Sequence, residues 1–507
     1  MSASPRYIEV MDTTLRDGEQ TSGVSFSASE KLTIAQLLLT EVKVDRIEVA
    51  SARVSDGEFN AVKGITKWAK ANGLLNKVEV LTFVDGDVSV QWMIKAGAKV
   101  MNLLTKGSLN HLTHQLKKKP EQHFAEVAAV IALARKKGLE CNVYLEDWSN
   151  GMRHSPEYVY EYLDFLVQQP VKRIMLPDTL GVLIPSEVFQ YISPIVERYP
   201  GIHFDFHAHN DYDLGTANVL EGIKAGAHGI HLTVNGMGER AGNAPLASAV
   251  AVMNDYLPTV KTSVAEKSLY SVSKLVETFS GIRVPANKPV VGENVFTQTA
   301  GIHADGDKKN KLYFSDLMPE RFGRQRRYAL GKTSGKANIE NNLAQLGIQL
   351  SETDLKKVTQ RIIELGDRKE VVTQADLPYI ISDILDSNMI EEKVKIENYV
   401  LTHSKNLHPS VTLRIIIDGE IFEVHAQGDG QYDAFMNALK KVYKQKKCDL
   451  PVLTDYMVRI PPGGKSDALC ETVITWSHDG KEFKTRGLDS DQTVSAIKAT
   501  QKMLNLI

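Results

Sequence analysis

Tyr7-Ile8-Glu9-Val10-Met11-Asp12-Thr13-Thr14-Leu15-Arg16-Asp17-Gly18-Glu19-Gln20 is the stretch whose reading decides the fold. Residues 7–11 read as a buried strand that ends in Thr, Arg, Asp and Gly rather than in a plain turn. Such an ending delivers charge to one edge of a sheet. There the Asp17 carboxylate can hold a hard cation, and the Arg16 guanidinium can face an oxygen that becomes negative during reaction. A lone Arg-Asp dipeptide would read as a surface ion pair; later strands supply partners for the same place.

Working outward, further apolar runs of strand length lie at residues 44–49, 78–83, 99–104, 140–145, 171–176, 203–207 and 229–234. Amphipathic stretches at 28–39, 122–137, 155–167, 186–199 and 215–225 read as helices between them. Ser27 and Ser155 stand where N-caps belong, and Pro156 at a first helical position. Eight β-α units in about 250 residues are what a closed parallel (β/α)8 TIM barrel requires. An open doubly wound sheet would place phosphate-binding glycines after the first strand, and none stand there. Polar residues gather at the strand ends: Arg16-Asp17, Glu48, Tyr144 with Glu146, Asp178-Thr179, His207 with His209, and 235–243. Barrel enzymes build their sites on that C-terminal rim.

His207 and His209 end the seventh strand two residues apart, so both rings project to one face. With Asp17 from the first strand they form a mixed imidazole-carboxylate set with open positions. It suits Zn, Mn, Co or, less comfortably, Mg. The loop 235–243 resembles a nucleotide-binding fingerprint only superficially, because its glycine spacing is wrong. It reads better as a tight loop bringing the Asn243 amide oxygen towards the cation. His111 and His114 read as solvent-facing residues on a helix, and 117–119 as a solvated lysine run.

Three segments, 12–20, His207-Ala208-His209-Asn210-Asp211 and Gly236-Met237-Gly238-Glu239-Arg240-Ala241-Gly242-Asn243, resemble the signatures of the 2-isopropylmalate, homocitrate and citramalate synthases. The resemblance spans essentially the whole chain. It is nearest to the citramalate branch, through Asn102-Leu103-Leu104-Thr105-Lys106-Gly107-Ser108 and residues 142–151. It implies a metal-dependent acyltransferase using acetyl-CoA as co-substrate, with a 2-oxo acid pocket walled by Leu81, Leu104 and Tyr144. The 2-isopropylmalate synthases carry smaller or polar side chains at the latter two places. A leucine and a tyrosine there favour pyruvate over 2-oxoisovalerate, because steric exclusion outweighs the roughly 1–3 kcal/mol of a methylene's burial. The resemblance further implies that Arg16 steadies the alkoxide at C2 and Thr179 holds the pyruvate carboxylate. Glu146, on the same strand face as Tyr144, becomes the acid-base group. His303 and Tyr313 match residues that approach the active site of a partner protomer, although His303 alone reads as a turn residue in a glycine-rich loop.

After the barrel (1–260), residues 261–390 read as linker subdomains, with helices at 267–280, 332–365 and 374–387. Residues 391–507 read as an α+β domain of two βββα repeats. Each repeat holds an Asp-Gly hairpin turn, Asp418-Gly419 or Asp479-Gly480, followed by a helix, at 432–444 or 491–504. Strands at 393–401 and 455–460 precede the hairpins. The equivalent family domain binds a pathway's end-product amino acid and dimerises. Tyr432, Asp433, Tyr456 and Gln492 match positions around that effector. Gln431-Tyr432 stands where 2-isopropylmalate synthases have Pro-Val, which points to isoleucine rather than leucine.

The expectation is therefore a homodimeric, cytoplasmic synthase that makes (R)-citramalate and CoA and is inhibited by isoleucine. A 2-isopropylmalate synthase, a metal-dependent lyase or aldolase, and a catalytically dead amino-acid sensor are the alternatives. Net charge of -2 gives no reason to expect nucleic acid or an anionic membrane. No apolar run reaches the roughly 18–20 residues of a bilayer span, residues 1–6 lack a signal-peptide core, and three scattered cysteines suit a reducing compartment.

Overall fold

The computed structural model describes residues 5–367, 372, 374–385, 393–459 and 470–506. They divide into two compact units, Met1–Phe296 with Phe314–Arg326, and Thr297–Tyr313 with Arg327–Ile507.

The first unit holds a closed barrel of eight parallel strands. They are β1 (Glu9–Asp12), β2 (Arg46–Ser51), β3 (Val78–Phe83), β4 (Val100–Lys106), β5 (Glu140–Glu146), β6 (Arg173–Asp178), β7 (His203–Ala208) and β8 (Gly229–Leu232). Closure comes from β1 pairing with β8, Glu9 against Gly229 through Asp12 against Leu232. All eight expected strands are present, within a few residues of where the apolar runs lie. Residues 6–7 form a separate short strand beside Val260–Lys261.

Period-two alternation governs the barrel. One face of the strands, Val10, Ile47, Val49, Val80, Leu103, Val143, Ile174, Phe204, Phe206 and Ile230, joins the main apolar core. The alternate residues carry a buried polar network, in which Arg46 bonds Glu79 and Asp205, and Asn142 bonds Asn102. Beside it, Met11, Leu81, Tyr144, Met175 and Leu104 form a small separate apolar cluster.

Helix α1 (Ala28–Leu37) begins at the expected Ser27, which forms a reciprocal capping box with Glu30. The helix Pro156–Leu166 starts after Ser155 as expected, but that hydroxyl donates to Gly151 O and accepts from Leu109 N–H instead of capping. His114 is exposed, whereas His111 is not free in solvent: its Nε2 lies 3.4 Å from Asp147 Oδ2.

In the second unit, the single helix expected over 332–365 is two, Lys336–Gln345 and Glu352–Asp367. Gly347, at φ +69°, sits in the break, a conformation glycine adopts without a side-chain penalty. Leu377–Leu385 is helical, and residues 386–387 of the expected third helix lie outside the described residues. The two repeats appear as two three-stranded antiparallel sheets. Val394–Thr402, Ser410–Ile417 and Glu420–Gln427 form one; Val452–Arg459, Cys470–His478 and Lys481–Asp489 the other. Helices Gln431–Lys446 and Gln492–Leu504 follow them. Apolar residues of both repeats share one core. Asp418-Gly419 and Asp479-Gly480 both have positive φ at each residue, as two-residue hairpin turns of the primed type demand. Residue 460 lies outside the described residues.

Candidate metal centre and active site

Three successive N–H groups after β1, those of Arg16, Asp17 and Gly18, donate to the Thr13 carbonyl. This tight turn holds Asp17 over the barrel mouth, 2% exposed. His207 and His209 at the end of β7 are also buried, and their Nε2 atoms lie 3.4 and 4.0 Å from Asp17 Oδ2. The three side chains form a cluster able to hold a metal ion. Burial alone raises the Asp17 carboxyl, but Arg16 and the two imidazoles hold it well below the usual carboxylate range. Burial pushes His209 down to about 4, so its ring is neutral and keeps a lone pair.

The loop after β8 closes this centre. Asn243 bridges to His209, and Asn210 N–H donates to Gly242 O. Asn243 comes to Asp17 as expected but with the other end of its amide: Nδ2 donates to Asp17 Oδ1 and to Met237 O, each at 3.0 Å. A carboxylate accepts, so it selects the nitrogen. Asn243 Oδ1 is buried with no hydrogen-bond partner among the described residues, and so are Nδ1 of His207 and of His209. A mixed oxygen and imidazole donor set with an orphaned acceptor beside it fits a divalent cation.

Arg16 spans this centre and the barrel interior. It donates to Asp17 Oδ2 at 2.7 Å, to Glu48, and to Tyr144 Oη at 3.4 Å. Tyr144 lies opposite Leu104 in the β4–β5 register, and Leu81 packs with both. Thr179 Oγ1 accepts from Asp147 N–H at 2.9 Å, which leaves its hydroxyl hydrogen to donate elsewhere. Glu146, opposite Lys106 in the same register, is ion-paired to it and remains partly exposed.

Glu48 is more central than its place among the strand-end polar residues indicates, since it also accepts from Asn102 Nδ2 at 2.7 Å. Lys106, His231 and Asp205 carry no role in the sequence reading. Their signal is there: each is a polar residue at an alternate position of a strand.

In the second unit His303 belongs to a helix, Gly301–Lys308, rather than to a turn. Its ring lies 4.2 Å, centroid to centroid, from that of Tyr313. Tyr432 and Tyr456 pack with ring centroids 5.3 Å apart. Tyr432 Oη bonds Thr500; Gln492, the first residue of the last helix, is exposed. Asp433 is exposed and turned away to Asp429 N–H and Asn437.

Comparison with known proteins agrees with this layout. Residues 7–276 match the HMGL-like family, 290–370 the homocitrate synthase post-HMGL domain-like family, and 371–507 the LeuA allosteric (dimerisation) domain. A Methanopyrus kandleri protein assigned as an (R)-citramalate synthase is 35% identical over 466 residues, 92% of this chain and 89% of its own. The (R)-citramalate synthase of Methanocaldococcus jannaschii is 32% identical over 503 residues, 99% of each chain. The chain belongs to the family of citramalate and 2-isopropylmalate synthases. These are condensing acyltransferases on an HMGL-like barrel. The 2-isopropylmalate synthase of M. jannaschii is also 32% identical, over 99% of this chain and 95% of its own. Overall identity therefore does not choose the acceptor within the family; the pocket must. No helix among the described residues is long and apolar enough to cross a membrane.

Proposed function

We propose that the protein condenses acetyl-CoA with pyruvate and hydrolyses the thioester, giving (R)-citramalate and CoA. The observation that carries the choice of acceptor is the filling of the barrel mouth by Leu104 and Tyr144 beside Leu81, Met11 and Met175. Tyr144 is 3% exposed. A branched acceptor would need the volume that these two side chains occupy.

Asp17, His207 and His209 would hold the divalent cation, with Asn243 turning its oxygen in. That cation supplies Lewis acidity and a template for a 2-oxo acid. Arg16, fixed by Glu48 and Asp17, faces the oxygen at C2 that becomes negative as the new C–C bond forms. The Thr179 hydroxyl donates to the acceptor's carboxylate. Glu146 takes a methyl proton from acetyl-CoA, and Lys106 steadies its carboxylate. The resulting carbon nucleophile adds to C2, and water then cleaves the thioester, releasing the thiol and a carboxylate. His303 and Tyr313, in ring contact in the second unit, serve a neighbouring protomer's site in a homodimer. The C-terminal domain binds isoleucine, and the cytoplasm is the setting.

Thiol release from acetyl-CoA tests this reading. Release should be faster with pyruvate than with 2-oxoisovalerate, by roughly ten-fold or more in kcat/KM. EDTA should abolish it, and added Mn, Co or Zn should restore it. A preference for 2-oxoisovalerate would make the protein a 2-isopropylmalate synthase, the second reading, which relatives of equal identity support. No release with either acid would end the synthase reading.

A further inference from the structure

Tyr144 is held from both sides of its hydroxyl. Its oxygen lies 3.0 Å from His231 Nδ1 on β8 and 3.4 Å from Arg16 Nη2. His231 Nε2 lies 3.0 Å from Asp205 Oδ2 on β7. The same carboxylate takes Arg46 Nη2 at 2.7 Å, and its other oxygen faces His203 Nε2 at 2.8 Å. Gly229 makes room for it, because a Cβ there would stand 2.1 Å from Asp205 Oδ1.

Hydrogen-bond directions follow from this geometry. A carboxylate gripped by a guanidinium only accepts, so His231 Nε2 bears the hydrogen and Nδ1 carries the lone pair. The Tyr144 hydroxyl then donates to His231, and its oxygen accepts from Arg16. His231 is fully buried, out of reach of bulk solvent. The apolar neighbours of the ring, Met11, Leu81, Leu104 and Met175, fill space without setting a direction.

We propose that Asp205 and His231 act as positioning residues that fix the Tyr144 hydroxyl, and through it both the size of the acceptor pocket and the aim of Arg16. This rests on the reading of Tyr144 as the wall that selects pyruvate. Without the His231 bond the phenol could turn away from Leu104, and the pocket would widen towards branched 2-oxo acids.

The test is a double-mutant cycle of His231→Phe and Tyr144→Phe in the metal-loaded full chain, measuring kcat and KM for pyruvate and for 2-oxoisovalerate. His231→Phe keeps a ring of similar volume; His231→Met carries the same expectations if that variant does not fold. In the wild-type background the change should lower the kcat/KM preference for pyruvate roughly ten-fold, the scale of one buried hydrogen bond, mainly through KM. In the Tyr144→Phe background it should move that preference by less than about two-fold. His231→Gln, able to donate to Asp205 and accept from Tyr144, should restore most of it. An equal loss in both backgrounds, or an unchanged preference after His231→Phe, overturns the proposal. If the wild type uses 2-oxoisovalerate and not pyruvate, the substrate reading fails by itself. The cycle is then read on KM for 2-oxoisovalerate, where coupling supports the His231 link and additivity overturns it.

Discussion

Asp12 closes β1 with a fully buried carboxyl. Its Oδ1 accepts from Thr14 N–H at 2.9 Å, and its Oδ2 has no hydrogen-bond partner among the described residues. Burial pushes it from 3.8 up to about 7. Between those values the folded chain keeps a proton that the unfolded chain releases. Stability is therefore fully present below the lower value and is lost as pH rises towards the upper one, by at most about 1.4 kcal/mol per pH unit. Asp12→Asn keeps the bond to Thr14 and removes the titration. Thermal unfolding of both proteins at a series of pH values should show the variant gaining on the wild type as pH rises from 4 to about 7 and no further beyond it. The same difference in Tm at both ends of that range would remove Asp12 as the cause. In the sequence Asp12 is one more member of an acidic motif, because burial cannot be seen in a string of letters. His207 and His209 were legible for the opposite reason, since strand periodicity sends residues two apart to one face, and Asp17 through its place just after the first strand.

At the scale of the element, the strand-helix alternation announced the barrel, and its eight strands lie within a few residues of the apolar runs. The barrel interior was harder to foresee. Reading the strands as apolar runs passes over Arg46, Glu79, Asn102, Asn142, Asp205 and His231, which recur at alternate positions and join, with Glu48 and the half-buried Glu9, into one network. Helices cover the outer face, so each strand needs apolar residues on that side only. The network depends on a missing side chain. Gly229→Ala would drive a Cβ into the Asp205 carboxylate and part it from Arg46. Leaving a buried charge without its partner costs about 3–5 kcal/mol. Urea unfolding should register a loss of that order. Gly201→Ala, where a Cβ meets nothing within 4 Å, is the control. Equal midpoints for the two variants would mean that the lumen yields without cost.

The whole chain joins a catalytic barrel to a duplicated module, and among the described residues the metal cluster draws only on the barrel. The Asp-Gly turns made that duplication readable, because the backbone twist of a two-residue hairpin demands such residues. The amino acid proposed for it would be chosen by shape. Tyr432 has its hydroxyl engaged by Thr500 and its ring against Tyr456, so in the proposed effector site it would act as a fixed apolar wall rather than as a hydrogen-bonding arm. A rigid wall discriminates between isomers by where the methyl branch falls, and isoleucine branches one carbon closer to the backbone than leucine. Isothermal titration of the full chain should give isoleucine a Kd roughly ten-fold below that of leucine, the span of one displaced methyl group. Tyr432→Ala should bring the two values together, because it removes the wall and leaves the amino acid's charged ends untouched. Tighter binding of leucine would reassign the effector. Heat from neither amino acid would leave the module with pairing of protomers as its role, and the paired tyrosines as part of its core.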